Sequence, residues 1–269
     1  MNAKARLIPT AVLLAMVFAI PIVHGGVGSI SGTTITVDTI GTITDSDSGS
    51  LSWSQTVNSG PNLILIAGVV LENDGAAPTI STFTYGAAAL TKIGSQLSAS
   101  GDIDVEIWQL PNPAVGTDTL TATFSGDASG GIFGGSASFF GVSGVRGYAG
   151  AQALAVLIPI GSSGAEEGDL LIDAVGANTA SLTQDASQTL LAETVSPLDG
   201  LSAGTSGKGA GSGFQMLWTG GTTVNDPVML VISLIPAAAI VPEYPWGLPL
   251  LAILMVIAYG IVKRRTAGN

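Results

Sequence analysis

The sequence predicts an all-β fold, an antiparallel β-sandwich or jelly roll, flanked by an N-terminal signal helix and a C-terminal transmembrane helix. Three observations predict this class. Hydrophobicity between residues 30 and 240 repeats mainly every second residue, the period of a half-buried strand. Glycine-rich and Asx-rich clusters separate the apolar segments, as turns do. No segment in this range keeps a helical period, whereas both chain ends carry long uncharged apolar runs.

The N-terminal 28 residues have the layout of a secretory signal peptide. Lys4 and Arg6 precede an apolar run over residues 7–23, and a patch of small residues follows. We therefore expect signal peptidase to remove residues 1–28 and the following region to be exported. An uncleaved anchor helix is the alternative, although a proline near each end of the run disfavours a long straight span.

Residues 29–240 are predicted to form the extracellular β-sandwich domain. Residues 51–56 alternate cleanly between apolar and polar side chains, as a half-buried strand does. Residues 62–71 are instead almost continuously apolar, which indicates a strand covered on both faces. The strand candidates are residues 33–39, 51–56, 62–71, 80–85, 103–110, 119–124, 136–142, 169–175, 188–193, 215–219 and 228–235.

The C-terminal residues predict a membrane anchor. Residues 246–262 carry no charge, and 17 residues are close to the shortest helix that crosses the hydrocarbon core. The basic cluster Lys263, Arg264 and Arg265 begins a tail, residues 263–269, that we expect on the cytoplasmic side. The membrane is thus a predicted partner, and the protein is expected at the cell surface.

A short motif precedes this helix, in the linker of residues 241–245. Pro242, Glu243, Tyr244 and Pro245, then a hydrophobic helix, then an arginine cluster, resemble the sorting tails processed by exosortases and archaeosortases. The closest form is the archaeal Pro-Glu-Phe signature, from which Tyr244 departs by one aromatic exchange. The resemblance implies that a sorting transpeptidase removes the helix and joins the exported part to a lipid or surface polymer. An ordinary membrane anchor is the alternative.

Composition restricts the exported region further. Three basic residues stand against 18 acidic ones between residues 27 and 241, so its net charge is −15. This charge repels nucleic acid and anionic lipid and favours association with divalent cations. Cysteine is absent, so a hydrophobic core must hold the fold without disulfides. We expect no nucleic-acid partner.

The region from residue 51 to about residue 236 also resembles an uncharacterised β-sandwich found in many secreted bacterial and archaeal proteins. The resemblance implies a surface module without established chemistry. It is carried by Leu51-Ser52-Trp53, residues 63–71, Thr84-Tyr85-Gly86, Val105-Glu106-Ile107-Trp108, Pro111-Asn112-Pro113 and Leu217-Trp218.

Catalytic chemistry is limited by the missing side chains. The single histidine, His24, lies in the predicted signal peptide, and there is no cysteine. A Ser-His-Asp triad, a Cys-His pair and a His- or Cys-ligated metal site are therefore unexpected in the mature domain. We predict no enzyme activity and no cofactor apart from weak calcium binding.

One carboxylate strand offers the hydrolytic alternative. Asp102, Asp104 and Glu106 project from the same face of a predicted strand as Trp108, with neighbours about 6–7 Å apart. The pattern resembles the Glu-x-Asp-x-Glu strand of laminarinase-type β-glucanases. That resemblance implies Asp102 as nucleophile, Asp104 as helper and Glu106 as general acid, although an aspartate replaces the nucleophilic glutamate. The alternative is an exposed acidic face that keeps the protein soluble.

Asp45 and Asp47 are weak calcium candidates. The run Asp45-Ser46-Asp47-Ser48-Gly49 resembles the start of a calcium loop, in which alternating oxygens surround one ion. The closing glutamate is absent, and Thr56 occupies its position. A plain turn between strands is the alternative.

Tryptophans are the candidates for sugar contact. Trp53 and Trp218 share their faces with Leu51 and Met216, so we expect both in the core. Trp108 remains a candidate carbohydrate contact.

The predicted function is that of a noncatalytic surface protein, structural, adhesive or associated with an envelope or matrix. Its expected partners are the membrane, signal peptidase, a sorting transpeptidase and either extracellular polysaccharide or other surface proteins. A carbohydrate-binding module is the first alternative, and a laminarinase-like glycoside hydrolase is the second.

Overall fold

The computed structural model describes eleven segments of the chain: residues 28–30, 34–41, 44–46, 49–72, 78–126, 131–157, 164–179, 181–195, 200–210, 214–221 and 224–238. Within these segments all regular structure is β-strand. The described residues include no helix long and apolar enough to cross a membrane. The predicted signal peptide, sorting motif, hydrophobic helix and basic tail lie outside them, apart from Gly28.

The described residues form 19 strands, whose bounds follow in chain order. They are β1 (Gly28–Ser29), β2 (Thr36–Ile40), β3 (Thr44–Ser46), β4 (Ser50–Val57), β5 (Ile64–Glu72), β6 (Ile80–Tyr85), β7 (Ala88–Ala89), β8 (Thr91–Leu97), β9 (Ile103–Pro111), β10 (Gly116–Phe124), β11 (Ile132–Phe140), β12 (Val142–Ala151), β13 (Ala155–Leu157), β14 (Leu170–Asn178), β15 (Leu182–Gln184), β16 (Thr189–Val195), β17 (Leu201–Gly209), β18 (Gln215–Gly220) and β19 (Asn225–Pro236).

The strands form four antiparallel sheets, two from each half of the chain. In the N-terminal half, a major sheet has the order β1-β2-β11-β5-β9-β8, with β3 also paired to β11, and a minor sheet has the order β4-β10-β6-β7. In the C-terminal half, the major sheet has the order β12-β19-β14-β17-β16 and the minor sheet β13-β18-β15. We call these halves the N-terminal and C-terminal sandwiches.

Three apolar cores hold the four layers together. The central core contains residues from both major sheets, which therefore pack face to face. A second core lies between the major and minor sheets of the N-terminal sandwich, and a third lies in the C-terminal sandwich. The layers thus run minor, major, major, minor, and both faces are covered at the central strands of each major sheet, such as β5 and β14, whereas the edge strands β8 and β12 are partly exposed.

Strand sequences match these layers. In β4, alternate residues are exposed and buried, because a minor sheet has one face in solvent. In β5 and β14, nearly every residue is buried, because a major sheet lies between two cores. The prediction that residues 62–71 form a strand covered on both faces is confirmed.

The two sandwiches have the same topology. The major sheets correspond strand by strand: the order β2-β11-β5-β9-β8 in the N-terminal sandwich matches β12-β19-β14-β17-β16 in the C-terminal sandwich. The minor sheets correspond in the same way, β4-β10-β6 matching β13-β18-β15. The registers agree as well. In the N-terminal sandwich Ile64 pairs with Phe139, and the following residue of β5 pairs with Ser138. At the equivalent positions of the C-terminal sandwich, Leu170 pairs with Leu234, and the following residue of β14 pairs with Ser233.

An equivalent β-bulge marks the repeat most clearly. Between β2 and β11 the register shifts so that Asp38 is the extra residue, and between β12 and β19 it shifts so that Arg146 is the extra residue. Each bulge stands beside the equivalent serine, Ser138 or Ser233. Bulged residues point away from the regular ladder, so both halves carry a charged side chain at this place.

The structure confirms the all-β antiparallel class and refines the strand assignment. The predicted strand at residues 136–142 is two strands, β11 and β12, which Gly141 separates with a positive φ of 75°. Only the first residue of β12 lies in a predicted strand, and two further full-length strands, β8 and β17, were not predicted. Their sequences, TKIGSQL and LSAGTSGKG, contain few apolar residues and no clear alternation.

Candidate functional site

The acidic strand singled out from the sequence is β9, which lies in the N-terminal major sheet. Ile103, Val105 and Ile107 enter the central core, so Asp104 and Glu106 point into the N-terminal sandwich. Asp104 is 8% exposed and Glu106 is 1% exposed. The alternative of a solvent-exposed acidic face is therefore wrong, because this major sheet is covered on both sides.

Glu106 is held by two donors. Lys92 on β8 donates from Nζ to Oε1 at 2.8 Å, and the indole Nε1 of Trp108 donates to Oε2 at 2.7 Å. The lysine ammonium also lies 5.6 Å from the centre of the Trp108 ring, within cation–π range. Trp108 itself packs edge to face on Phe83 with ring centres 5.7 Å apart. Both carboxylate oxygens of Glu106 are thus engaged by the fold.

Asp104 is the less satisfied member of the pair. Burial, and then the charge of nearby Glu106, raises the pKa of Asp104 to about 7. Its Oδ1 is buried and has no hydrogen-bond partner. A carboxyl group in this state can hold a proton at neutral pH. Asp102, which precedes β9, is partly exposed.

The other predicted residues fall differently. Asp45 lies in β3 opposite Phe133, whereas Asp47 and His24 lie outside the described residues. Among the residues described, no group of three or more acidic or histidine side chains is arranged to hold a metal ion. The expectation that Trp53 and Trp218 are core residues is confirmed, since they are 4% and 1% exposed.

Sequence reasoning missed a buried polar network in the C-terminal sandwich. Asp173 on β14 is fully buried and accepts hydrogen bonds from Trp218 Nε1 at 2.7 Å and from the Ser206 amide and hydroxyl at 2.6 and 2.9 Å. Burial raises the pKa of Asp173 to about 7, although these hydrogen bonds oppose the shift. In the sequence this network is indicated by a lone aspartate, Asp173, within an otherwise apolar strand.

A small apolar cavity lies between the two major sheets. Its volume is about 50 Å³, and its walls include Gly68, Phe133, Ala174, Leu191 and Ala203. Ser136, Asp173 and Thr205 are also among its lining residues, and its size allows no more than about three to five water-sized molecules. It is therefore a packing gap of the central core.

The outer surface of the N-terminal minor sheet has a uniform chemistry. Opposite the buried side chains of β4, β6 and β10, the outward positions are serine or threonine. The exposed charge on these three strands is Asp118 of β10, which belongs to the opposite alternation and lies beside Gly86. We call the ten outward serines and threonines the hydroxyl face: Ser50, Ser52, Ser54, Thr56, Thr82, Thr84, Thr117, Thr119, Thr121 and Thr123.

The registers arrange the hydroxyl face in ranks across the strands. Thr121 stands beside Ser52 on one side and Thr84 on the other, and Thr123 stands between Ser50 and Thr82. Within the ranks, Ser52 Oγ donates to Thr121 Oγ1 at 3.1 Å. Neighbouring ranks are about 6.6 Å apart along a strand, and strands are about 4.8 Å apart. The face is thus a regular two-dimensional array of hydroxyl groups.

Other strands show that this composition is not general. Charged side chains occur on β8, β12, β16 and β17, namely Lys92, Arg146, Glu193 and Lys208, whereas the hydroxyl-face strands carry one, Asp118, off the face. Threonine favours exposed strands, but strand preference alone does not exclude charge from a whole face. Alternate serines and threonines in β4 and β10 are visible in the sequence, but only the pairing of strands brings them together.

Comparison with known proteins identified no relative of this chain. No protein-family model, no curated protein and no solved structure matches this chain. The resemblances to a sorting tail, a secreted sandwich and a glucanase strand therefore stay predictions.

Proposed function

We propose that this chain is a noncatalytic cell-surface protein with a structural or adhesive role. It is exported by its N-terminal signal segment and anchored by a C-terminal transmembrane helix. The observation that supports this function best is the hydroxyl face, an uncharged surface spanning three strands of a strongly acidic protein. Such a surface suits contact with an extended partner. The sandwich or jelly-roll fold supplies the rigid support.

The sorting interpretation belongs to the same proposal. Pro242, Glu243, Tyr244 and Pro245 form the recognition element, and a sorting transpeptidase replaces the hydrophobic helix by a lipid or polymer. The basic residues from Lys263 onward keep the end of the chain in the cytoplasm until then.

The acidic pair on β9 supports a structural role over hydrolysis. A general acid must reach the glycosidic oxygen of its substrate. Glu106 is 1% exposed and both its oxygens accept hydrogen bonds from neighbouring side chains. Trp108 is committed to the same cluster, so an aromatic sugar platform gains no support from it.

The location is tested on intact cells. An epitope tag is inserted at Gly101, in the turn before β9, where a side chain would meet no atom within 4 Å. We expect an antibody to label intact cells that produce the tagged protein. Labelling that requires permeabilised cells would contradict the proposal.

Processing of the tail is tested by the mass of the native protein. We expect residues 246–269 to be missing from the mature protein and to be retained after Glu243→Ala. Retention of these residues in the unaltered protein would leave a membrane anchor and remove the sorting interpretation. Release of sugar from β-1,3-glucan or mixed-linkage glucan, abolished by Glu106→Gln, would contradict the noncatalytic role.

A further inference from the structure

We propose that the hydroxyl face binds a neutral, hydroxyl-rich polysaccharide that lies along the strands of the N-terminal minor sheet. This inference rests on the proposed function, because a surface-exposed sandwich meets such polymers outside the cell. The ligand class follows from three properties of the face: its charge, its shape and its hydrogen-bonding groups.

Charge excludes two classes of partner. The chain carries a net charge of −11, yet the ten positions of the hydroxyl face contain no ionisable group. An anionic polymer would be repelled by the surrounding field, and a cationic one would bind the acidic surfaces instead. A neutral partner gains most from a face that presents only dipoles.

Shape requires an extended ligand. The strand β4 alone carries the face from Ser50 to Thr56, a length of about 20 Å at the usual rise of a strand. The cavity found among the described residues lies between the major sheets and not on this surface. On an open sheet surface, affinity comes from many weak contacts repeated along a polymer.

The hydrogen-bonding groups match those of sugars. Each serine or threonine hydroxyl has one donor and two acceptor sites, as a sugar hydroxyl does. A bond between neighbours, such as that from Ser52 to Thr121, leaves further acceptor sites free for a ligand. The threonine methyl groups add apolar contacts for sugar C–H groups.

A second copy of the chain is a poorer partner for this face. Interfaces between protein copies usually have an apolar centre. Two stacked hydroxyl faces would have no such centre and would bury hydroxyl groups, which is unfavourable unless each finds a hydrogen-bond partner. The aromatic mode of sugar binding does not apply either, because Trp53 and Trp108 point into the N-terminal sandwich. Recognition by the hydroxyl array is thus distinct from the tryptophan contact predicted from the sequence.

The test uses the full chain, solubilised in a polyoxyethylene detergent so that no glycoside detergent competes. Binding is measured by co-sedimentation with cellulose, curdlan, mannan and chitin, and with alginate and chitosan as charged polymers. We expect binding to at least one neutral polymer with little dependence on salt. The double variant Thr119→Val with Thr121→Val keeps β-branched side chains but removes two hydroxyls, and should bind at least about tenfold more weakly.

The matched control is Thr183→Val on β15, the equivalent minor-sheet strand of the C-terminal sandwich. Its side chain is also exposed, so binding should be unchanged. If the first double variant does not fold, Ser52→Ala with Ser54→Ala tests the same face at its edge strand.

Three results would overturn the inference: no binding to any neutral polymer, equal binding by the folded double variant, or binding that is confined to a charged polymer. Self-association that the double variant abolishes, measured by sedimentation velocity, would identify a second copy as the partner and would also overturn it. Failure of the surface-labelling experiment with polysaccharide binding intact would instead remove only the proposed location.

Discussion

The N-terminal and C-terminal sandwiches share one strand order but satisfy the buried acid at the equivalent place in different ways. Both place a serine at the equivalent position of the major sheet, and each serine donates to a buried aspartate at 2.8 Å. In the N-terminal sandwich, the bulge itself supplies the acid, Asp38, which is otherwise satisfied by Asn58. In the C-terminal sandwich, the bulge supplies Arg146, and the acid is Asp169 before β14.

The minor sheets differ more than the major ones. In the N-terminal sandwich, β4 and β10 are eight and nine residues long and carry the hydroxyl face. In the C-terminal sandwich, the described parts of the equivalent β13 and β18 are three and six residues long, and residues 158–163 after β13 lie outside the described segments. The shared strand order therefore belongs to the common framework of both sandwiches. The long minor sheet of the N-terminal sandwich is the part in which they differ, and it offers a surface for binding.

The largest expected effect separates the two buried aspartates. Arg146→Met leaves Asp169, 1% exposed, without its cation, and should lower the free energy of unfolding by about 3–5 kcal/mol. Asn58→Ala removes one neutral donor from Asp38 and should cost about 1–3 kcal/mol. Urea denaturation of both variants at pH 7 gives the comparison. Equal losses would show that the ion pair has no special weight.

The next effect distinguishes the two core tryptophans. Trp218 donates to the carboxyl group of Asp173, whereas Trp53 donates to the Ser136 hydroxyl at 2.8 Å. At pH 8, Trp218→Phe should destabilise by about 1–2 kcal/mol more than Trp53→Phe, because hydrogen bonds to an ionised group are the stronger. At pH 5, where Asp173 is protonated, the difference should shrink. A difference that is independent of pH would contradict this account.

The pH dependence of stability should come from one aspartate in each sandwich. The pKa values of Asp104 and Asp173 are raised from 3.8 to about 7, so between these values the folded protein binds more protons than the unfolded chain. Stability should therefore decrease as pH rises from about 4 to about 7. Burial acts to raise the pKa of Asp169, but the hydrogen bonds from Arg146, the Glu166 amide and Ser233 together outweigh it and lower the pKa. The stabilising effect of Asp169 is therefore lost only as pH falls below this window.

Thermal melting of Asp104→Asn and Asp173→Asn separates the two contributions. Each variant should lose about half of the slope between pH 5 and 7. Asp104→Asn should raise Tm at pH 8, because it removes a buried charge whose Oδ1 has no hydrogen-bond partner. Asp173→Asn should lower Tm at pH 5, because an amide cannot accept all the bonds of the buried carboxyl. Unchanged slopes in both variants would exclude these residues as the source.

The smallest expected effect makes the two sandwiches more alike. Gly68 is equivalent to Ala174 and faces it across the central core, where a Cβ at Gly68 would stand 3.6 Å from that of Ala174. Gly68→Ala should therefore stabilise by about 0.5–1 kcal/mol through lower unfolded-state entropy and better filling of the adjacent cavity. The control is Gly204→Ala, whose Cβ would lie 2.5 Å from the Trp218 ring and should destabilise.

The strands that alternate or are continuously apolar were predictable from the sequence, but their assembly was not. The pattern of β4 indicates one buried face, and that of β5 indicates two, yet neither pattern specifies which strands pair. The repeat was not visible in the sequence, because equivalent strands occupy the same positions in the fold but have different residues. For example, the equivalent strands β9 and β17 read IDVEIWQLP and LSAGTSGKG.

The acidic strand shows the same limit at the level of a site. Alternation correctly placed Asp104 and Glu106 on one face of a strand, but it does not distinguish a solvent face from the interior of a sandwich. Lys92, which neutralises Glu106, lies on a strand that the sequence did not reveal. The buried environment follows from pairing between β8 and β9, which is tertiary information.

The single residue between β11 and β12 makes the two sandwiches depend on each other. Gly141 alone carries the backbone from one major sheet to the other, and the faces so joined bury 22 apolar residues of the described structure in common. Half of such a protein would leave its broadest apolar surface in water. Either sandwich produced alone should therefore associate through this face instead of remaining monomeric.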